Sequence, residues 1–167
     1  MPDGQGGSMG IKYVALIGLT IFSSCLLTIL PWPHPWGWYQ PAWVFIVLLF
    51  WMIYLPDRVG VGVAFFVGLL LDLLTGTLLG QHSFAFSFIA YLCIRFGTQI
   101  RGFALWSQLI VVLVATLIYL GSQYWLMAIV WQPYDVSKYG WVIVTTLFLW
   151  PWARFLLKDF QRRFSLT

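Results

Sequence analysis

Hydropathy divides this chain into six apolar runs separated by short polar or proline-containing breaks. They cover about residues 11–30, 42–55, 59–74, 83–94, 105–130 and 139–157. The first stops at Pro31, the second lies between Pro41 and Pro56, and the fifth is the longest. The second has an apolar core of 14 residues, short of the ~20 that a perpendicular membrane crossing needs. Trp38, Tyr39 and Tyr54 can extend it as interfacial residues; a re-entrant segment is the alternative. The pattern predicts an all-α integral membrane protein with six transmembrane helices. Residues 1–10 form an N-terminal tail, 11–157 the transmembrane domain and 158–167 a basic C-terminal tail. No internal repeat, low-complexity tract or heptad pattern is visible.

Composition supports this class. The chain of 167 residues is 61% hydrophobic, has mean hydropathy +0.87 and is only 8% charged, whereas soluble domains average about 25%. Net charge is +4, but the basic residues are scattered singly, not gathered on the one face that a nucleic-acid reader needs. They are distributed unevenly between the two sides. With the N-terminus inside, Lys12, Arg58, Arg95, Arg101, Arg154, Lys158, Arg162 and Arg163 all fall in inner segments, and Lys138 alone falls outside. Cytoplasmic loops carry the Lys and Arg excess, so both termini are expected in the cytoplasm.

Cys25 and Cys93 lie far apart inside apolar runs and read as buried free thiols, and no Cys/His grouping suggests a metal. The segment MPDGQGGSMG has no Arg-rich region and no A-x-A site follows the first run, so that run is expected to be a retained helix.

One carboxylate interrupts this greasy pattern. In GLLLDLLTGTLLG, residues 68–80, Asp72 stands among seven leucines and is the only charge between Arg58 and Arg95. An Asp near a helix centre costs about 2.5–3.5 kcal/mol on insertion, and each Leu returns about 0.3–0.6 kcal/mol. The span can therefore insert, with the carboxyl turned toward other helices or water. Gly60, Ala64, Gly68, Asp72, Gly76 and Gly80 recur every four residues and so form a slowly drifting ridge that admits a close neighbour. Gly76 also suits a helix C-cap, so packing is expected up to Asp72 and a turn at Thr75-Gly76, with Gly80 in a loop. His82, Thr75, Thr77 and the amides of that turn are the candidate partners of Asp72. A structural hydrogen-bonding role is favoured over proton or ion transport, because the chain has no Glu and its other Asp residues lie at interfaces or termini. If hydrogen bonding is what matters, Asn should substitute well.

Two further stretches stand out. PWPHPWGWYQP, residues 31–41, holds four prolines, three tryptophans and a tyrosine. Proline stiffens it toward polyproline II, and the aromatics suit an interfacial belt or a docking surface for an outer-face partner. Candidate contacts are Trp32, Pro33, Trp36, Trp38, Tyr39 and Trp43; His34 reads as a surface residue. In LWPWARFLLKDFQRRF, residues 149–164, Pro151 should kink the last helix. Beyond it Arg154, Lys158, Arg162 and Arg163 alternate with Phe155, Leu156, Phe160 and Phe164, a basic amphipathic end suited to the membrane surface. No paired carboxylates, Ser/His/Asp set, zinc motif or phosphate loop is present, so neither catalysis nor a cofactor is expected.

Together these segments resemble the rod shape-determining MreD family, in its proteobacterial form. The likeness is carried by Pro31-Trp32-Pro33, Pro41 with Trp43, Pro56-Asp57-Arg58-Val59 and Val61-Gly62. It continues through Gly68, Leu71-Asp72-Leu73, Gly76 and Leu79-Gly80, then Leu105-Trp106 with Gln108, and Leu149-Trp150-Pro151-Trp152. Ala42 departs from it, since relatives often carry a polar or acidic residue there. The resemblance implies a non-enzymatic inner-membrane component of the bacterial elongation machinery, directing lateral peptidoglycan synthesis and rod shape. The partners it implies are MreC, MreB, RodZ, RodA and a class B penicillin-binding protein; membrane lipid is a further contact, and self-association is left open. In fold the family is similar to the S-components of vitamin transporters. The competing hypothesis is therefore a small-molecule-binding membrane protein, with Asp72, Thr116, Ser122, Gln123 and Thr145 as its polar groups.

Overall fold

The computed structural model describes residues 5–31, 40–129 and 136–165. These residues form six helices and no strand: α1 Gln5–Ile29, α2 Trp43–Tyr54, α3 Val61–Thr75, α4 Gln81–Gly102, α5 Leu105–Ile129 and α6 Val136–Ser165. Trp32, Pro33, Trp36, Trp38 and Tyr39 lie outside the described residues.

Helix ends follow local chemistry. Leu30, the residue before Pro31, closes α1 with its N–H on the Leu26 carbonyl, and the Gln40 side-chain amide donates to the carbonyls of Leu27 and Thr28 at 3.2 and 3.1 Å. α2 stops at Tyr54, and the N–H groups of Arg58 and Val59 turn back onto the Leu55 carbonyl around Pro56. Proline cannot donate within a helix and disfavours helical geometry in its predecessor.

α2 is the axis of the core. Its 12 residues span about 18 Å. Val44, Phe45, Ile46, Leu48, Leu49, Phe50, Trp51, Met52 and Ile53 are all buried, against α1, α4 and α6. A helix apolar all round must be enclosed on all sides, and neighbouring helices do this for α2. Trp51 donates its indole N–H to Thr20 Oγ1 at 2.9 Å, so the one polar atom of its ring is satisfied across the α1–α2 contact.

Burial is inverted relative to a water-soluble bundle. Ser24, Asp72, Gln81, Ser83, Gln108, Thr116, Gln123 and Thr146 are buried, while Leu19, Phe22, Phe66, Leu73, Phe148 and Phe155 are more than half exposed. Such a surface suits hydrocarbon, where polar groups must find partners inside. α1, α4, α5 and α6 contain stretches long and apolar enough to cross a membrane, and α2 and α3 are shorter.

Three boundaries differ from the sequence expectation, the first being that α1 begins at Gln5, inside the expected N-terminal tail. α4 starts before Ser83 and runs to Gly102, past the end of the apolar run at Ile94, because Arg95 and Arg101 are both exposed and cost the helix little. α6 likewise passes without interruption through Pro151 and continues to Ser165. Residues 158–165 are therefore an extension of the last helix and not a separate tail.

A buried carboxylate at the α3–α4 junction

The functional candidate is built where α3 ends. Gly76 takes a left-handed conformation, φ 66°, and its N–H bonds the Asp72 carbonyl; Thr77 N–H reaches the same carbonyl at 3.2 Å. Glycine adopts this conformation without the Cβ penalty. Gly80, φ 97°, opens α4 as its N-cap and has no side chain to cap it. The first N–H groups of any helix need acceptors from outside the helix. Here Asp72 supplies them from the preceding helix.

Asp72 is wholly buried, and both of its oxygens are used. Oδ2 accepts from Gly80 N–H at 2.9 Å and from Ser83 Oγ at 3.4 Å. Oδ1 accepts from His82 N–H at 3.0 Å and Thr77 Oγ1 at 3.0 Å, and His82 Nδ1 lies 2.6 Å away. An ionised carboxylate can only accept, so against Asp72 in that form the ring is the donor and carries a proton on Nδ1. The imidazole is braced by Phe86 and Tyr119, whose ring centroids lie 6.0 and 5.9 Å from its own. A carboxylate at a helix N-terminus also opposes the positive end of the helix dipole.

Four residues earlier, Gly68 permits the close approach this requires. A Cβ there would lie 2.5 Å from Ser83 Cα and 2.6 Å from Ser83 N, so α3 and α4 touch backbone to backbone. Ala64 is also fully buried. The small-residue ridge is shorter than its spacing suggests. Ala64, Gly68 and Asp72 share the buried face, but Gly60 is the extended N-cap of α3, and Gly76 and Gly80 have no neighbour within 4 Å of an added Cβ. The last two serve backbone conformation instead of packing.

Sequence reasoning missed the counterpart at the other end of α4. Gln108, 1% exposed, donates Nε2 to the Ile100 carbonyl at 3.0 Å and lies 3.4 Å from Tyr54 Oη. Arg101 adds Nη1 to the Tyr54 carbonyl at 3.4 Å. The signals available were an amide in the first turn of an apolar helix and the place of Gln108 beside Leu105-Trp106 in the family resemblance, neither of which gave it a partner.

Most of the polar groups that a small-molecule pocket would use are already engaged. Thr116, Ser122 and Thr145 each donate to a carbonyl of their own helix, and Asp72 is saturated as described. A cavity of about 380 Å³ between α4 and α5 is lined chiefly by apolar side chains, including Ile89, Leu92, Phe96, Ile110 and Val114. Among the described residues no three His, Cys, Asp or Glu side chains come together to hold a metal, and Cys25 and Cys93 are buried free thiols. Trp43, the one described residue of the aromatic set, is half-buried at the start of α2. Arg154, Lys158, Arg162 and Arg163 lie on the last turns of α6.

Comparison with known proteins places this architecture. Residues 9–160 match the family model described as rod shape-determining protein MreD. The chain is similar to the rod shape-determining protein MreD of Haemophilus influenzae, 32% identical over 146 residues that cover 84% of this chain and 87% of that one. No solved structure matches it. The chain thus belongs to the rod shape-determining protein MreD family, whose members are structural determinants of cell shape and not enzymes.

Proposed function

We propose that this protein is a six-crossing subunit of the bacterial inner membrane, with both termini cytoplasmic. In this reading it binds MreC and helps position the lateral wall-synthesis machinery: RodA with its class B penicillin-binding partner, and MreB and RodZ directly or through others. The observation that carries the reading is the use made of Asp72. Its carboxylate is fully engaged by the ends of two helices, which is what a rigid docking body needs and what a carrier of protons or ligands cannot spare. Orientation rests on the eight-to-one division of Lys and Arg between the two sides. α2 and α3, though short, count as crossings within a bundle whose longer helices set the span. The aromatic segment with Trp32, Pro33, Trp36, Trp38 and Tyr39, leading to Trp43, is assigned as the outer contact for MreC.

The test is recovery of MreC with the tagged chain from native membranes. Wild type should retain MreC, and Trp32→Ala with Trp36→Ala should lose it at unchanged abundance of the chain. Abundance falling in step with recovery would reduce the segment to an interfacial belt. Absence of MreC from the wild-type preparation would remove the scaffold reading.

One observation favours a small-molecule reading of the S-component kind. Gln123 is 3% exposed, and neither atom of its amide has a hydrogen-bond partner among the described residues. Saturable binding of a vitamin by the isolated protein, abolished in Gln123→Leu, would support it.

A further inference from the structure

At the end of the bundle where Tyr54, Arg101 and Gln108 meet, α5 and α6 enclose a second cavity, of about 300 Å³. One part of its wall is apolar, from Leu105, Pro151 and Phe155; the other carries Arg154, Lys158, Arg162 and Asp159. The three cations are spaced four residues apart and so stand in one row along α6. Asp159 is the one carboxylate of the lining, and its Oδ2 accepts from Arg163 Nε at 2.8 Å, so the lining carries more positive than negative charge. Lys158 Nζ lies 5.3 Å from the centre of the Tyr54 ring, a contact that holds the ammonium in place without using up its hydrogen-bond donors.

Two features make this more than a solvated charged face. Arg154 Nη1 is buried and has no hydrogen-bond partner among the described residues. An enclosed guanidinium donor without an acceptor is costly and calls for an anion. The cavity also includes Leu105, the first residue of α5, so the electropositive end of a 25-residue helix lies beside it.

We infer that this cavity binds the phosphate headgroup of an anionic phospholipid, with the cations of α6 and the start of α5 on the phosphate and Leu105 and Phe155 against the first acyl carbons. The apolar wall selects a lipid over a soluble anion, which gains nothing from it. The surroundings agree: Trp106, Trp152 and Phe155 are 81%, 68% and 76% exposed, as expected of side chains around an opening at membrane level, where aromatic rings settle at the headgroups. The inference depends on α5 and α6 crossing the membrane and not on MreC, so either proposal can fail alone.

The test uses the full chain in neutral detergent, offered equal amounts of phosphatidylglycerol and phosphatidylcholine with matched acyl chains, and counts retained lipid by native mass spectrometry. Phosphatidylglycerol should be retained preferentially. Arg154→Gln with Lys158→Gln should lower that retention roughly thirtyfold, given what each cation contributes near anionic lipid. Arg58→Gln with Lys12→Gln, which removes the same charge elsewhere, should leave it unchanged. Equal retention of the two lipids, or equal loss in the control pair, overturns the site. Displacement of the lipid by millimolar inorganic phosphate overturns the lipid in favour of a soluble anion. Should the double variant fail to fold, the wild-type melting temperature decides. A rise with phosphatidylglycerol, and none with phosphatidylcholine or inorganic phosphate, supports the site; the same response to all three ends it.

Discussion

Asp72 and Gln108 grip opposite ends of α4, and neither belongs to it. The acid reaches from α3 to the N–H groups at Gly80 and His82, and the amide reaches from α5 to the carbonyl of Ile100. An acceptor at the amino end and a donor at the carboxyl end are what the unpaired backbone of an isolated helix requires. α4 is thereby locked to both of its chain neighbours, and its length is defined from outside.

Replacing the acid should divide by how many acceptors remain. Asp72→Leu strands two backbone N–H groups and the His82 ring in a dry site, at about 1–3 kcal/mol for each group. Asp72→Asn keeps one acceptor and turns an NH₂ toward the donors of the other side. Both carboxylate oxygens receive a backbone N–H, so Asn is expected to be intermediate and not neutral, which revises the expectation drawn from sequence. Thermal unfolding in detergent should rank wild type above Asn above Leu, with rod shape and MreC recovery in the same order. Loss of shape in the Asn variant, with its complex and stability intact, would mean that the group carries protons after all.

Gly68→Ala places one methyl carbon against the Ser83 backbone. Overpacking of this kind costs about 1–3 kcal/mol, and backbone has little room to yield. Gly62→Ala, on the same helix with open space around it, should be neutral or slightly stabilising. Equal melting temperatures for the two variants would argue against direct contact of α3 and α4.

For Gln108→Leu, side-chain volume is roughly kept while the bond to the Ile100 carbonyl is lost. A loss of about 1 kcal/mol is expected, read as lower melting temperature and faster amide exchange in the last turn of α4. Exchange that speeds up equally at the Gly80 end would show that the two caps do not act separately.

Topology can be read directly. Reporters fused after Gln40 and Leu78 should lie outside, and those after Asp57 and Phe103 inside. A cytoplasmic signal at Gln40 would make α2 re-entrant.

The helices were legible because apolar runs in this chain have proline or glycine at their breaks, and Asp72's partners because the turn that follows it is short and holds Thr77 and His82; Thr75, the nearest candidate, donates instead to the Leu71 carbonyl. Helix ends beyond the apolar runs were not. Arg95, Arg101 and Lys158 look like exits from the membrane, yet the backbone stays helical beneath them. Gln108 was opaque for a different reason. Its partner is a carbonyl, and side-chain patterns carry no record of backbone groups. The ridge ends at Asp72, with the turn at Gly76 that its C-cap signal predicted; what a spacing of four did not show is that Gly60 stands before the helix as its extended N-cap.

The enclosure of α2 has a consequence for how the protein is made. A segment of 12 residues emerges after α1, but two of the helices that wall it in, α4 and α6, are synthesised later. Until they arrive, Phe45, Trp51 and Met52 have no complete setting, and the segment is too short to hold itself across the bilayer. Assembly of this bundle is therefore settled last at its centre, and a truncation that removes α6 should leave α2 exposed to quality-control proteases even though every residue of α2 is present.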